Sequence, residues 1–300
     1  MKPSGASQGR TGVKVAGYIA GLALVFGAAL GAGVLVGPDS VADNAGHGGG
    51  QMSTEHTAGH AEPAETGHPA QAAGLAVSAD GYTLQLLGGS QAGTLDFRIL
   101  DHTGDPVRDF EIQHERMLHL IVVNRDLSGF RHVHPVLAAD GTWSVPMPIE
   151  NPGAYRVIAD FKAAGAAAGT VLGADLLIPG TTRITPLPAP SAVAVVDGYR
   201  VELSTHLVAG GSAPVTLTVS KDGRPVTDLE PYLGAYGHLV ALRSGDAGYL
   251  HVHPTSTTPG PEIRFEAEVP SAGSYRLYLD FQHAGVVHTA EFTVIAGGAS

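Results

Sequence analysis

The chain has 300 residues, a formal net charge of −11 and no cysteine. The acidic balance argues against a nucleic acid partner. The lack of cysteine excludes disulfides, thiolate metal sites and cysteine nucleophiles, so any metal ion must be held by nitrogen, oxygen or thioether sulfur. With 41 glycines and 20 prolines, the composition is typical of β-domains with many turns and of linkers.

The N-terminal region begins with a basic tail, residues 1–14, which contains no acidic residue. Residues 15–37 then run without a charge, which is long enough for a transmembrane or signal-anchor helix. The basic flank predicts that the tail is cytoplasmic and that the following domains are extracytoplasmic, on a single-pass protein of the cell membrane. Cleavage near residues 40–42 would instead yield a secreted protein.

Residues 38–74 consist mainly of Gly, Ala, Pro, Glu, Thr and His, with few large apolar side chains. Such a segment cannot bury a core, and we expect a disordered, His-rich linker. Histidine-rich tracts bind metal ions weakly, which favours a role in metal capture; a neutral spacer is the alternative. The histidines of this linker are His47, His56, His60 and His68.

Two regions, residues 75–181 and 192–297, are each predicted to form a β-domain, called domain 1 and domain 2. In both, short apolar and aromatic runs alternate with turn signals. About seven short strands in roughly 100 residues predict an immunoglobulin-like β-sandwich, so the fold class is all-β with two tandem domains. Residues 182–191 contain three prolines and are predicted to form a fairly stiff linker.

A motif of the form His-x12-His-x-His-Pro occurs once in each domain. Fewer than half of the residues aligned around the two copies are identical, but every histidine and the proline are kept. Three imidazoles at this spacing indicate a metal site, and duplicated structural histidines are the alternative. The copies are His119, His132, His134 and Pro135, and, 119 residues later, His238, His251, His253 and Pro254.

In domain 1 the motif reads as a β-hairpin, with an apolar run, a Gly-containing loop and an aromatic residue that restarts the strand. A centred loop places Val123 opposite Phe130 and therefore His119 opposite His134. Side chains at positions i and i+2 of a strand share a face, so His132 joins the other two. The three rings are predicted to converge on one face of the hairpin.

The same register in domain 2 places Leu242 opposite Tyr249 and His238 opposite His253. Alternation along the last predicted strand puts His288 at the rim of the core face. His288 could supply a fourth metal ligand, or it could cap the end of the sandwich. With this extra nitrogen, domain 2 is predicted to bind metal more tightly than domain 1.

Acidic residues recur at equivalent positions of the two domains and are candidate hydrogen-bond partners for the imidazoles. Turn hydrogen bonds are the more ordinary role for such residues. They are Asp109 and Asp228, Glu111 and Glu230, and Asp160 and Asp280.

The histidine motifs and a later Tyr-Arg-x-(Ile/Tyr)-x-Asp-Phe sequence, at Tyr155–Phe161 and Tyr275–Phe281, recur in both domains. In these motifs the chain resembles a family of exported actinobacterial proteins with tandem β-domains, described as heavy-metal-binding-like. The resemblance covers roughly residues 75–297 and implies export and the fold. A looser similarity is to small periplasmic copper-binding β-sandwiches; the chain lacks their Met-rich pattern, which counts against a Cu(I) role.

These features predict a membrane-tethered extracytoplasmic protein that binds a divalent transition metal, Cu(II) or Zn, for sequestration or transfer. A metal transporter or another envelope protein is the expected partner. The alternative is a non-enzymatic Ig-like interaction or structural module of the cell envelope. A zinc hydrolase is a third reading, but the sequence places no general base beside the histidines, so we predict that the protein is not an enzyme.

Overall fold

The computed structural model describes residues 72–87, 93–147, 149, 151–250 and 252–298. These residues form β-strands, turns and irregular segments with no α-helix, so the predicted all-β fold class is confirmed. Within them, no helix has the length and apolar character needed to span a membrane. The predicted span at residues 15–37, His47, His56, His60, His68 and His251 lie outside the described residues.

Domain 1 is a sandwich of two antiparallel sheets. One has the strand order β1-β2-β3-β7-β6 and the other the order β5-β4-β8-β9. The described strands are β1 (Ser78–Ala79), β2 (Tyr82–Leu86), β3 (Thr94–Leu100), β4 (Leu118–Asn124), β5 (Arg131–Val133), β6 (Val136–Leu137), β7 (Trp143–Pro146), β8 (Gly153–Phe161) and β9 (Thr170–Ile178).

Domain 2 repeats this plan, with one sheet ordered β10-β11-β12-β17-β16, to which β13 adds on β12, and a second ordered β15-β14-β18-β19. Two tandem Ig-like sandwiches are therefore present, as predicted. The described strands are β10 (Val193–Val196), β11 (Tyr199–Thr205), β12 (Gly211–Lys221), β13 (Arg224–Pro225), β14 (His238–Arg243), β15 (Tyr249–Leu250), β16 (Val252–Pro254), β17 (Glu262–Val269), β18 (Gly273–His283) and β19 (Val286–Ala296).

Each domain has its own hydrophobic core between its two sheets. In β3 the buried and half-buried positions alternate strictly, so Leu95, Phe97 and Ile99 enter the core. Phe97 stacks on the buried Trp143 of the neighbouring β7. This period of two, which hydrophobic-in and polar-out strands require, is what made the strands predictable from the sequence.

A third apolar cluster joins the two domains face to face. Strand β4 is buried at every position from Leu118 to Val123, because one face packs into domain 1 and the other against domain 2. Phe130 stacks on Tyr278 across the boundary, with ring centroids 3.9 Å apart. The cluster comprises Ile121, Val123, Leu127, Ile158, Val240, Leu242, Ala247 and Tyr278, with Phe130, Val171, Leu187 and Tyr249 packed against it.

The chain enters domain 1 beside this boundary. Ala73 exchanges two backbone hydrogen bonds of 2.9 Å with Tyr249 of domain 2. The buried guanidinium of Arg156 donates to the carbonyl oxygens of Gly74 and Leu75, at 2.6 Å each. A Cβ at Gly173 would come within 2.0 Å of the Gly74 oxygen, so only glycine fits there. The first described residues are thus fixed to both domains.

Candidate metal centre

The hairpin of domain 1 forms with the register that the sequence predicts. Strands β4 and β5 pair Leu120 with Val133 and Ile121 with His132. The same register carries on to His119 and His134, one step beyond the last paired residues. The three histidines therefore meet at the open end of the hairpin, and we call them the domain 1 trio.

The ring nitrogens of the domain 1 trio lie at the spacing of metal ligands. His119 Nδ1 is 3.1 Å from His132 Nε2 and 3.3 Å from His134 Nε2, and the three ligand atoms all lie within 4.8 Å of one another. Two nitrogens that each lie about 2.0–2.1 Å from a tetrahedral zinc ion are separated by about 3.3 Å. The two separations measured from His119 are therefore those expected of ligands to a single ion.

The far nitrogens of two of these rings are already committed. A tight turn with positive φ at His114 and Glu115 presents the carbonyl oxygen of Gln113, which accepts from His119 Nε2 at 3.0 Å. The carboxylate of Asp280 lies 3.0 Å from His132 Nδ1. Because carbonyl and carboxylate oxygens accept, both far nitrogens carry the proton, and in the neutral rings the near nitrogens carry lone pairs.

Burial keeps the imidazoles of His119 and His134 neutral near pH 7. Desolvation, followed by the charge of His132 among other smaller effects, lowers the pKa of His134 to about 3. Desolvation also lowers the pKa of His119 to about 4, although its hydrogen bond to Gln113 acts in the opposite direction. A metal ion requires the neutral imidazole, so these rings need not lose a proton to bind one.

Beside the trio lies a cleft of about 850 Å³ between the two domains. His119 and His132 line it, together with the thioether residue Met117 and with His114, His238 and His253. Ala72, where the described part of the chain begins, lines it too. The cleft gives a bound ion an open side, from which water, a further ligand or an acceptor protein can approach.

The second histidine set of the sequence is arranged differently. His238 Nε2 donates to the carbonyl oxygens of Tyr232 and Leu233 at 3.0 and 3.1 Å, as His119 does to Gln113. Its ring lies 6.2 Å from that of His119, and burial lowers its pKa to about 4. His238 therefore lines the wall of the same cleft.

The predicted pairing of Leu242 with Tyr249 is confirmed, but β15 ends one residue later, at Leu250. His253 lies on β16, exposed, and pairs with Glu266 of β17 in the opposite sheet. The structure thus does not continue the hairpin register from His238 to His253. Among the described residues, the histidines that meet at metal-ligand spacing are those of the domain 1 trio.

His288 caps the end of the domain 2 sandwich, which is one of the two roles that the sequence allowed. Its Nδ1 is 2.8 Å from the carboxylate of Asp197, and its ring packs on Tyr199 at 4.5 Å between centroids. His283 bonds the Tyr199 hydroxyl at 2.6 Å. His288, the extra nitrogen that favoured domain 2 in the sequence, is therefore engaged at the end of the sandwich, as is His283.

Sequence reasoning left the role of Asp280 open and did not foresee its partner. Asp280 belongs to domain 2 but bonds His132 of domain 1, and its other oxygen accepts from Thr289 at 2.6 Å. The equivalent Asp160 lies 3.3 Å from the Tyr249 hydroxyl of domain 2. Desolvation raises the pKa of Asp160 to about 6. The recurrence of this aspartate in both domains was the signal for its role.

Solved structures similar to the chain have low identity and low superposition scores. A DUF4426 family protein from Pseudomonas aeruginosa PAO1 is 8% identical, with a TM-score of 0.27, over 37% of this chain and 100% of that one. The FN1–FN3 domains of chicken CNTN1 are 11% identical, with a TM-score of 0.21, over 71% and 66%. A Corynebacterium diphtheriae protein described as membrane anchored is 10% identical, with a TM-score of 0.21, over 74% and 60%.

No curated protein matches the chain with significant similarity. A family profile, the domain of unknown function DUF8832, matches twice, over residues 76–172 and 194–298. The two matches coincide with the two sandwiches and together cover more than half of the chain. The chain therefore belongs to the DUF8832 family and carries two copies of its domain.

Proposed function

We propose that the protein binds a divalent transition metal ion, Cu(II) or Zn(II), through His119 Nδ1, His132 Nε2 and His134 Nε2. It holds or passes on this ion outside the cytoplasm, tethered by residues 15–37, and it is not an enzyme. A metal transporter or another envelope protein is the proposed recipient. The heavy-metal-binding-like resemblance of the motifs supports the same role.

One observation carries this proposal: the near ring nitrogens of His119 and His132 face each other at 3.1 Å. His119 and His132 each use the far nitrogen as a donor, so their near nitrogens are both acceptors when the rings are neutral. Facing lone pairs repel unless a cation lies between them. Burial disfavours a proton carried by a charged His119. A metal ion satisfies both nitrogens and reaches His134 as well.

The donor set fits some metals better than others. Imidazole suits Zn(II), Cu(II) and Ni(II), of which Cu(II) binds most strongly at a given site. The chain has no cysteine to favour Cu(I). The nearby carboxylate of Asp160 is buried and bonded to Tyr249, and so it is poorly placed to act as a general base. Metal binding and transfer are therefore better supported as the function than zinc-dependent hydrolysis.

A metal titration of the full chain in detergent tests the proposal. The linker histidines are first replaced, so that the titration measures metal binding by the two domains alone. The substitutions are His47→Gln, His56→Gln, His60→Gln and His68→Gln. We expect one equivalent of Zn(II) or Cu(II) to bind tightly in competition with a chromophoric chelator. Binding of no metal under these conditions would contradict the proposal and favour an Ig-like interaction module.

A matched pair of variants assigns the site to its domain. His132→Ala with His134→Ala removes two ligands and should weaken binding by about a thousandfold or more. His251→Ala with His253→Ala removes the equivalent residues of domain 2 and should leave the tight equivalent in place. Equal losses from both pairs would contradict a site built by the domain 1 trio.

Tethering is tested separately on intact cells. Added protease should digest residues 75–300 while the cytoplasmic tail is protected, as the charge-free segment behind a basic tail predicts. Protection of residues 75–300 would contradict the extracytoplasmic location.

A further inference from the structure

The hydrogen bond between His132 and Asp280 crosses the boundary between the two domains. The Nδ1 to Oδ2 distance is 3.0 Å, and the two side chains are only 4% and 6% exposed. The ion pairs of the other described residues of domain 1 lie within that domain. This contact ties a proposed metal ligand to the neighbouring domain.

We propose that the metal centre is an interdomain site, in which Asp280 of domain 2 is the positioning residue for His132 of domain 1. Metal binding by the domain 1 trio then requires docking of domain 2, and the bound ion strengthens that docking in return. This inference rests on the proposed function, since it concerns the same three histidines.

The carboxylate acts on the ligand in two ways. It fixes His132 in the tautomer whose Nε2 is free for the ion, and it makes that nitrogen a better donor, because the negative charge stabilises the polarised ring. Thr289 donates to the other oxygen of Asp280 at 2.6 Å and holds the carboxylate in its orientation. Removal of such a partner from a metal-bound histidine typically weakens binding by about 10–100-fold.

The packing beside this pair explains why docking controls it. Phe130 and His132 share one face of their strand, and Tyr278 and Asp280 share one face of β18. Phe130 stacks on Tyr278 at 3.9 Å, and the Tyr278 hydroxyl donates to the Leu127 oxygen at 2.6 Å. The apolar stack therefore sets the distance between His132 and Asp280. Separation of the domains would hydrate both groups and release the imidazole to rotate.

Domain 1 supplies a matched control at the equivalent position. Asp160 also lies at the boundary and also bonds a residue of the other domain, the Tyr249 hydroxyl at 3.3 Å. Its described hydrogen bond goes to that hydroxyl and not to a histidine of the domain 1 trio. Loss of this carboxylate should therefore affect the domain boundary but leave the orientation of His132 unchanged. Asp280→Asn and Asp160→Asn thus remove the same charge from related places.

The experiment compares these variants in the full chain that lacks the four linker histidines. Asp280→Asn should weaken Zn(II) and Cu(II) binding by about 10–100-fold, and Asp160→Asn by no more than about threefold. The Cu(II) electron paramagnetic resonance spectrum should change in Asp280→Asn, because one nitrogen ligand is reoriented, and should match wild type in Asp160→Asn. Unchanged affinity and spectrum in Asp280→Asn, when wild type binds metal, would overturn the interdomain site alone.

A second measurement covers the case in which Asp280→Asn does not fold. Strand β18 supplies no ligand to the domain 1 trio, yet metal should slow hydrogen exchange of the wild-type amides around Asp280. No metal-dependent change in β18 would overturn the coupling. If wild type binds no metal at all, the proposed function fails first and this inference fails with it.

Discussion

The two copies of the His-x12-His-x-His-Pro motif begin alike and end differently. Both first histidines donate to a carbonyl of the preceding tight turn, at Gln113 and at Tyr232. In domain 1, β5 then stays paired with β4 through Val133. In domain 2, the described pairing with β14 covers Tyr249 and Leu250, and Val252 already pairs with β17 in the opposite sheet. A shared motif therefore does not guarantee a shared site.

One residue accounts for part of this difference. Leu250 is 1% exposed and belongs to the core of domain 2, whereas its equivalent Arg131 is exposed. An apolar side chain at this position draws the strand towards the core and the opposite sheet. An arginine keeps it at the edge, where His132 and His134 reach His119.

The aromatic residue before the second histidine differentiates the domains further. Domain 2 has Tyr249, whose hydroxyl bonds the Asp160 carboxylate. Domain 1 has Phe130, which has no hydroxyl, so the equivalent Asp280 is left for His132. The two aspartates thus differ in their partners, a phenol for Asp160 and an imidazole for Asp280.

The largest predicted contrast is between the first histidines of the two motifs. His119→Ala removes a ligand and should weaken metal binding by about a hundredfold or more. His238→Ala removes a ring with the same carbonyl hydrogen bond but outside the trio, and should change affinity by no more than about threefold. A competition titration of both variants measures this. A comparable loss in His238→Ala would show that domain 2 also supplies a ligand.

The sequence predicted features that depend on neighbouring residues, and it did not predict contacts between segments that are distant in the chain. Strand periodicity and hairpin register were predictable, because alternation and a Gly-containing loop act locally, as in Val123 and Phe130. The unbroken apolar run of β4 signalled burial on two faces, but the second face could have met any surface. Its contact with Val240 and Tyr278 depends on the docking of distant segments, and so the partner of Asp280 could not be predicted.

The next contrast exchanges the aromatic residues. Phe130→Tyr brings a hydroxyl towards Asp280, where it should compete with His132 and weaken metal binding by about tenfold. Tyr249→Phe releases Asp160 and should leave metal affinity near the wild-type value. Isothermal titration calorimetry on both variants compares them. Unchanged affinity in Phe130→Tyr, with a folded protein by circular dichroism, would contradict the division of roles between the two aspartates.

A smaller effect concerns pH and the metal-free protein. Burial holds the pKa of His119 and of His238 at about 4 and that of His134 at about 3, below the usual value of about 6.5 in an unfolded chain. Between these limits the unfolded state binds more protons than the folded state, so stability falls as the pH falls from about 6.5 towards 4. Thermal unfolding across this range should show a decreasing midpoint. A flat profile would indicate that the rings are hydrated.

The smallest predicted effect separates the linker histidines from the trio by kinetics. Ala73 pairs with Tyr249, and Ala72 lines the cleft beside the trio, so the linker ends at the metal centre. Three residues of chain lie between His68 and Ala72, so these two residues are about 14 Å apart at most. A histidine tethered at this distance would present captured metal at a high effective concentration. Replacement of the four linker histidines by glutamine should therefore slow metal loading severalfold in stopped-flow measurements, while the equilibrium affinity of the trio stays the same.

His102→Gln is a control, because that histidine borders a different cleft of domain 1. A change in affinity with no change in loading rate would assign the linker to the site itself rather than to delivery.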